Sequence, residues 1–323
     1  MNTHAYRSAA QGASPGADQG TGMTYSTFTP GNTTRASAAS SAGHRGLIRR
    51  RPVTAYLVLA FTGLWLSLLP VILFDAPYRL FSAIGAILGL GLPAFLVTAV
   101  TDGRAGVREL LGRTVRWRVD VRWYGLAVLG TPATMFLIGA AAVGTAPLDA
   151  LTARWSLLVT VFVPQLLVAI FTTQIFEELG WTGFVQHKLQ DRHGALRAAL
   201  LVVAPFTLIH FPTYLIGAPV TGTAVVKALT MLIPVAIFGI FFRVLIAWLY
   251  NGSGRSVFVA ALVHAVFNTA GDSRFAPQFF PPTAAMWLPL AAVVVLGLLA
   301  AVLTKGGLAH QPRPGGAQQN LED

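Results

Sequence analysis

The chain has 323 residues, of which 54% are hydrophobic and only 11% charged, with a formal net charge of +11 and no cysteine. Soluble domains carry about 25% charged residues, so a soluble globular protein is excluded, as are disulfides, thiol catalysis and thiolate metal sites. The positive charges sit in short connections beside apolar runs and form no basic face with interleaved aromatics, which argues for a membrane topology and against a nucleic-acid partner.

Residues 1–50 read as a polar tail rich in Ser, Thr, Gly and Ala. It lacks the apolar content to fold alone and is expected to be disordered. No signal-peptide h-region occurs near Met1. The tail ends in the basic cluster Arg45, Arg49, Arg50 and Arg51. A membrane domain over residues 51–304 follows, and a polar tail, 305–323, closes the chain. Apolar runs fall at 53–74, 81–100, 124–145, 155–186, 196–216, 228–250, 256–271 and 285–304. Most reach the ~20 residues that a spanning helix needs, and the seventh is short and amphipathic. The expected fold class is all-α, a polytopic helical membrane protein with about eight transmembrane helices around an intramembrane polar cavity.

Charge orients these spans. The connections expected inside carry Arg104, Arg108, Arg113, Arg116, Arg118 and Arg122, then Lys188, Arg192 and Arg197, then Arg255. Those expected outside carry only Arg79, Arg154, Lys227 and Arg274. The asymmetry predicts a multi-pass protein of the cell membrane with both termini cytoplasmic. The basic stretch 101–123 reads as a topogenic loop, with an interfacial helix that sets Trp117 and Trp123 at the headgroups as the alternative. No clear internal repeat is present.

Ionisable groups inside apolar spans are expensive, and a functional role is the first hypothesis for each. Glu177 and Glu178 stand in the fourth run, His210 in the fifth, Arg243 in the sixth, and His264 and Asn268 in the seventh. At 1.5 Å per residue, Glu177, His264 and His210 lie roughly 14, 12 and 21 Å from the inner ends of their spans. His264 and Asn268 are four residues apart and share a helix face. Three helices can therefore direct polar groups into one site. Burial and a like-charged neighbour both raise the proton affinity of a carboxylate, towards the range of a general base. A histidine can hold the water, and a second histidine with an asparagine amide can donate to an oxyanion.

Each residue also has a bland reading. The glutamate pair could be interfacial, and His210 and Asn268 could be helix–helix packing contacts. His187 and His193 read as solvated beside Lys188 and Arg192. Gly252 and Gly254 read as a tight turn, and Trp181 and Gly183 as packing beside the site.

The motifs "EELGWT", "FTLIH" (Phe206 to His210) and "HAVFN" (His264 to Asn268) follow one another on successive spans. In order and spacing they resemble the EExxxR, FxxxH and HxxxN motifs of the CPBP family of intramembrane proteases, also called the CAAX-protease and bacteriocin-processing or Abi family, over roughly residues 155–270. The resemblance implies Glu177 as the base that activates water, assisted by His210, with His264 and Asn268 as the oxyanion site. It implies that Glu178 modulates Glu177 and that Phe206 packs the cavity. Family members are often labelled metalloproteases. No HExxH pair is present and a metal-free reaction is preferred, with no cofactor required; a zinc ion, if bound, would take Glu177, His210 and His264. The departure is Thr182, where the family has arginine, and Arg243 is the candidate substitute. The function so implied is an intramembrane endopeptidase acting on a membrane-associated peptide or protein among membrane lipids. The alternatives are a catalytically altered or inactive protein of the same fold, serving as an immunity or scaffolding factor, and a proton-coupled transporter.

Overall fold

Hydrocarbon offers backbone groups no hydrogen-bond partner, so a chain this apolar satisfies them within helices. The computed structural model describes residues 46–311 and contains no strand among them. The readings made for residues 1–45 and 312–323 lie outside the described residues. Ten helices position the rest: α1 Pro52–Phe74, α2 Tyr78–Thr101, α3 Gly103–Thr114, α4 Val121–Val143 and α5 Ala146–Ala153, then α6 Leu158–His193, α7 Ala195–Ile209, α8 Gly222–Gly252, α9 Val257–Ala270 and α10 Pro282–Leu303. Seven of the described helical segments are long and apolar enough to cross a membrane, α7 counting together with the 3₁₀ turn Phe211–Leu215 that extends it. The eighth, α9, is shorter at 14 residues.

Helix α9 is enclosed by its neighbours. Eleven of its residues are buried, including His264, and it packs on α4 and on α6. Ser256 starts it by accepting a hydrogen bond from the Val259 amide at 3.1 Å, an N-cap that satisfies one of the free donors of the first turn. Around it, α8 packs against α7 and α10, and α10 packs against α4. The outward surface is apolar, with Leu137 72% and Met286 74% exposed, as suits lipid contact. The multi-pass helical architecture read from the apolar runs is therefore the one observed.

Inside a bilayer helices associate through close packing more than through hydrophobic burial, so small residues mark the crossings. The α1–α2 crossing is made by Gly63 and Gly89: a Cβ on Gly63 would stand 2.7 Å from the Gly89 Cα. Gly180 of α6 serves the same purpose for Tyr56 of α1, whose hydroxyl would lie 1.9 Å from an added Cβ. Gly180→Ala is expected to lower the unfolding midpoint in detergent, by about 1–3 kcal/mol of overpacking, and Tyr56→Phe in the same chain to recover part of that loss. An unchanged midpoint for the single variant would contradict this contact.

The connections sort into two groups. On one side Arg116 donates to the Gly254 carbonyl at 2.7 Å and Arg255 to the Gln311 carbonyl at 3.2 Å. On the other, Arg154 donates to the Gln278 carbonyl at 2.6 Å. Segments assigned to one side by charge thus touch one another. The stretch 101–123 is not a plain loop: it contains α3, which buries Arg113, while Trp123 at the start of α4 is buried against Trp248 and only Trp117 stays exposed.

Candidate active site

Helix α6 carries the paired glutamates on an irregular backbone. Its hydrogen bonding switches to the wider π pattern at Leu158–Phe162, Ile170–Gln174 and Leu179–Gln186. The α-helical stretch Ile175–Glu178 lies between the second and third of these. Such bulges recur at functional sites because each re-aims the side chains around it. Here the two adjacent carboxylates enter different surroundings.

Glu178 is fully buried and fully engaged. Arg243 of α8 places Nη1 3.0 Å from both Oε1 and Oε2. The Thr182 hydroxyl, one turn along α6, donates to Oε2 in a short hydrogen bond. Arg243 Nη2 donates in turn to the Thr182 hydroxyl at 2.7 Å. His264 Nδ1 lies 2.8 Å from Oε1, and because an ionised carboxylate only accepts, that nitrogen carries the proton. Arg243, Glu178 and Thr182 are all 0% exposed. A charge so placed is tolerable only when paired and hydrogen-bonded, and this one is. The guanidinium that reaches Glu178 therefore comes from another helix, and Thr182 joins the two.

Glu177 is the freer carboxylate. Its side chain is 19% exposed, and Oε2 lies 3.8 Å from His264 Nε2, beyond a direct hydrogen bond. His264 thus stands between the two glutamates, held by one and facing the other.

His210 ends α7, because Pro212 cannot continue the helix. Its Nδ1 lies 2.6 Å from the Phe206 carbonyl, and Trp65 of α1 donates from Nε1 to the neighbouring Ile209 carbonyl at 3.2 Å. His210 is within electrostatic reach of both Glu177 and His264. Phe206 is buried at the centre: its ring lies 5.0 Å from His210, 6.4 Å from His264 and 6.2 Å from Trp181, with Arg243 5.7 Å over its face. A cation over an aromatic face is a favourable contact that further fixes the guanidinium.

The structure thus gathers Glu177, Glu178, Thr182, Phe206, His210, Arg243 and His264. It does not gather Asn268, which is exposed and makes no side-chain hydrogen bond among the described residues. Glu177, His210 and His264 do not constitute a metal-holding set, and no group of three or more His, Asp or Glu side chains among the described residues does. Both histidines hold Nδ1 close to an acceptor, Glu178 and the Phe206 carbonyl, and neither Nε2 has a hydrogen bond among the described residues.

Two residues of α1 were not legible as neighbours of this site. Tyr56 is fully buried against Trp181 and Phe184, and its hydroxyl has no hydrogen-bond partner among the described residues. Trp65 braces the end of α7. An aromatic side chain with a polar tip inside an apolar span is the only sequence signal either one offers. His187, expected to be solvated, is buried. α6 continues to His193, so His187 still points into the bundle, with Nε2 3.1 Å from Arg113 Nη1 and Nδ1 3.2 Å from the Tyr250 hydroxyl.

Residues 158–270 match the model of a protein family described as Type II CAAX prenyl endopeptidase Rce1-like. CAAX prenyl protease 2 of Methanococcus maripaludis is 26% identical over 113 residues, which cover 34% of this chain and 40% of that protein.

Proposed function

We propose that this chain, whose residues 158–270 match the Rce1-like family model, is an intramembrane endopeptidase, hydrolysing a peptide bond of a membrane-associated peptide or protein with a glutamate-activated water. The observation that carries the reading is the division of labour between adjacent carboxylates. Glu178 is saturated by Arg243, Thr182 and His264, whereas Glu177 keeps an uncommitted oxygen facing His264 Nε2.

In this reading Glu177 accepts a proton from water as the water oxygen bonds to the scissile carbonyl carbon, and the carbonyl electron pair moves onto oxygen. His264, anchored through Nδ1, offers Nε2 to the developing oxyanion when protonated. The proton held by Glu177 passes to the leaving nitrogen as the carbon–nitrogen bond breaks. His210 assists in holding the water, and Phe206 fixes the spacing of the two histidines. No step runs through a metal ion. Arg243 takes the place of the arginine that Thr182 replaces in the motif.

The test is cleavage of quenched fluorescent peptides by the purified chain in detergent, with one peptide set bearing a C-terminal prenylated CAAX sequence. Cleavage that disappears in His264→Ala supports the reading. Equal cleavage by both proteins, or by neither, overturns it, and proton flux in liposomes that depends on Glu177 would favour a transporter.

The proposed placement is the cell membrane with both termini cytoplasmic, supported by the grouping of the arginine-rich connections on one side. Since the chain lacks cysteine, single cysteines at Arg313 and at Arg274 can be labelled without background. An impermeant thiol reagent is expected to reach Arg274→Cys in intact cells and Arg313→Cys only after lysis, and the opposite pattern would invert the topology.

A further inference from the structure

Apart from the glutamate site, the arginine-rich end of the bundle holds a cavity of about 680 Å³ between the start of α1, the end of α2, α3 and the end of α6. We infer that this cavity binds a phosphate group. Arg50, Arg51, Arg113, Lys188 and Arg192 line it against only three carboxylates, Asp102, Glu109 and Asp191. Two of the cations are neutralised locally: Lys188 Nζ lies 2.7 Å from Asp102 Oδ2, and Arg113 pairs with Glu109. The side chains of Arg50, Arg51 and Arg192 are exposed and have no ion pair or hydrogen bond among the described residues. Three uncommitted guanidinium groups around one concavity are an excess of positive charge with donors in the fork geometry that suits phosphate oxygens.

A second, independent observation lies in the cavity wall. Arg113 lines the cavity and is more than nine-tenths buried, and its Nε has no partner among the described residues. An unsatisfied donor on a buried cation is costly. Arg113 Nη2 also donates to the Gly183 carbonyl at 3.2 Å, within the π-helical turn that follows the glutamates. The cavity is therefore tied to the backbone of α6.

Position indicates where the phosphate comes from. Pro52 begins α1 and Thr101 ends α2, so the cavity lies at the level where spans leave the hydrocarbon. Basic pockets between helices at that level bind anionic headgroups. A headgroup phosphodiester and soluble phosphate share the chemistry that these residues recognise.

The full chain in phosphatidylcholine nanodiscs provides the test, with phosphatidylglycerol added in one arm and inorganic phosphate in the other. The readouts are the unfolding midpoint and, by native mass spectrometry, retained phosphatidylglycerol. Phosphatidylglycerol is expected to raise the midpoint, and Arg50→Gln/Arg51→Gln/Arg192→Gln to cut retention about tenfold. Arg79→Gln/Lys227→Gln/Lys305→Gln removes equal charge elsewhere and is expected to retain the lipid. A rise with phosphatidylglycerol alone assigns the headgroup as the source, and a rise with inorganic phosphate as well assigns a site open to soluble phosphate. No rise in either arm, or equal loss of lipid in the two triple variants, overturns the inference. Should the cavity triple variant fail to fold, Arg192→Gln alone, at an exposed position, carries the same comparison.

Discussion

Replacing Arg243 with leucine is expected to destabilise the folded protein by about 3–5 kcal/mol, the usual cost of removing one partner of a buried ion pair. The size follows from what is left behind. Glu178 is 0% exposed and would keep only the Thr182 hydroxyl and His264 as donors. The loss should appear as a lower unfolding midpoint in detergent, and as lost peptide cleavage because His264 is anchored by the same carboxylate. Arg243→Lys is the milder case. A lysine supplies the charge but not the planar fork that spans Glu178 and Thr182 at once. The diagnostic variant is Arg243→Leu/Thr182→Arg. Position 182 is one turn from Glu178 on the same face, and the space vacated by Arg243 adjoins it. This double variant returns the cation to the position where the family motif carries it. Its midpoint is expected to recover at least half of the loss; recovery no better than Arg243→Leu alone would show that α8 contributes more than charge.

How legible this arrangement was in the sequence depended on how local its cause is. The spans follow from uninterrupted apolar composition, and their ends fell within a few residues of α1, α2, α4 and α10. The sixth run, read as 228–250, extends to Gly222–Gly252 because Thr221 caps a turn whose residues are not especially apolar, accepting from the Ala224 amide at 3.2 Å. Arg243 was conspicuous because a cation in a span has no local explanation, and the carboxylate nearest to it in the fold is Glu178.

The missed features share a different cause. Tyr56 and Trp65 reach the site from a helix more than a hundred residues away in sequence, by contacts that leave no periodic trace. His187 and Arg113 sit in stretches whose charge density reads as solvated loop. Both are helical and turn inward, where each satisfies part of the other. Asn268 fails in the opposite sense. Its spacing from His264 is right for a shared face, but α9 is buried around His264 and opens at Asn268. The helical period fixes a direction only to within about a quarter turn, and the edge of a packed surface lies inside that margin.

The two glutamates are expected to separate cleanly under mutation. Glu177→Gln should lower kcat/KM for peptide cleavage by about 10²–10⁴-fold, the contribution of a positioned general base, while leaving the unfolding midpoint unchanged. The amide keeps the volume of the side chain, and Glu177 has no hydrogen bond among the described residues for the change to disrupt. Glu178→Gln should behave otherwise. It keeps the shape but removes the charge that Arg243, Thr182 and His264 all address, so the midpoint falls together with activity. The conservative variant adds a readout that a merely structural role would not move. If Glu177 is the base, Glu177→Asp restores part of the cleavage that Glu177→Gln loses, at an unchanged midpoint. If instead Glu177→Gln keeps its cleavage and Glu178→Gln loses it at an unchanged midpoint, the roles are exchanged, and the buried member of the pair is the one that meets the water.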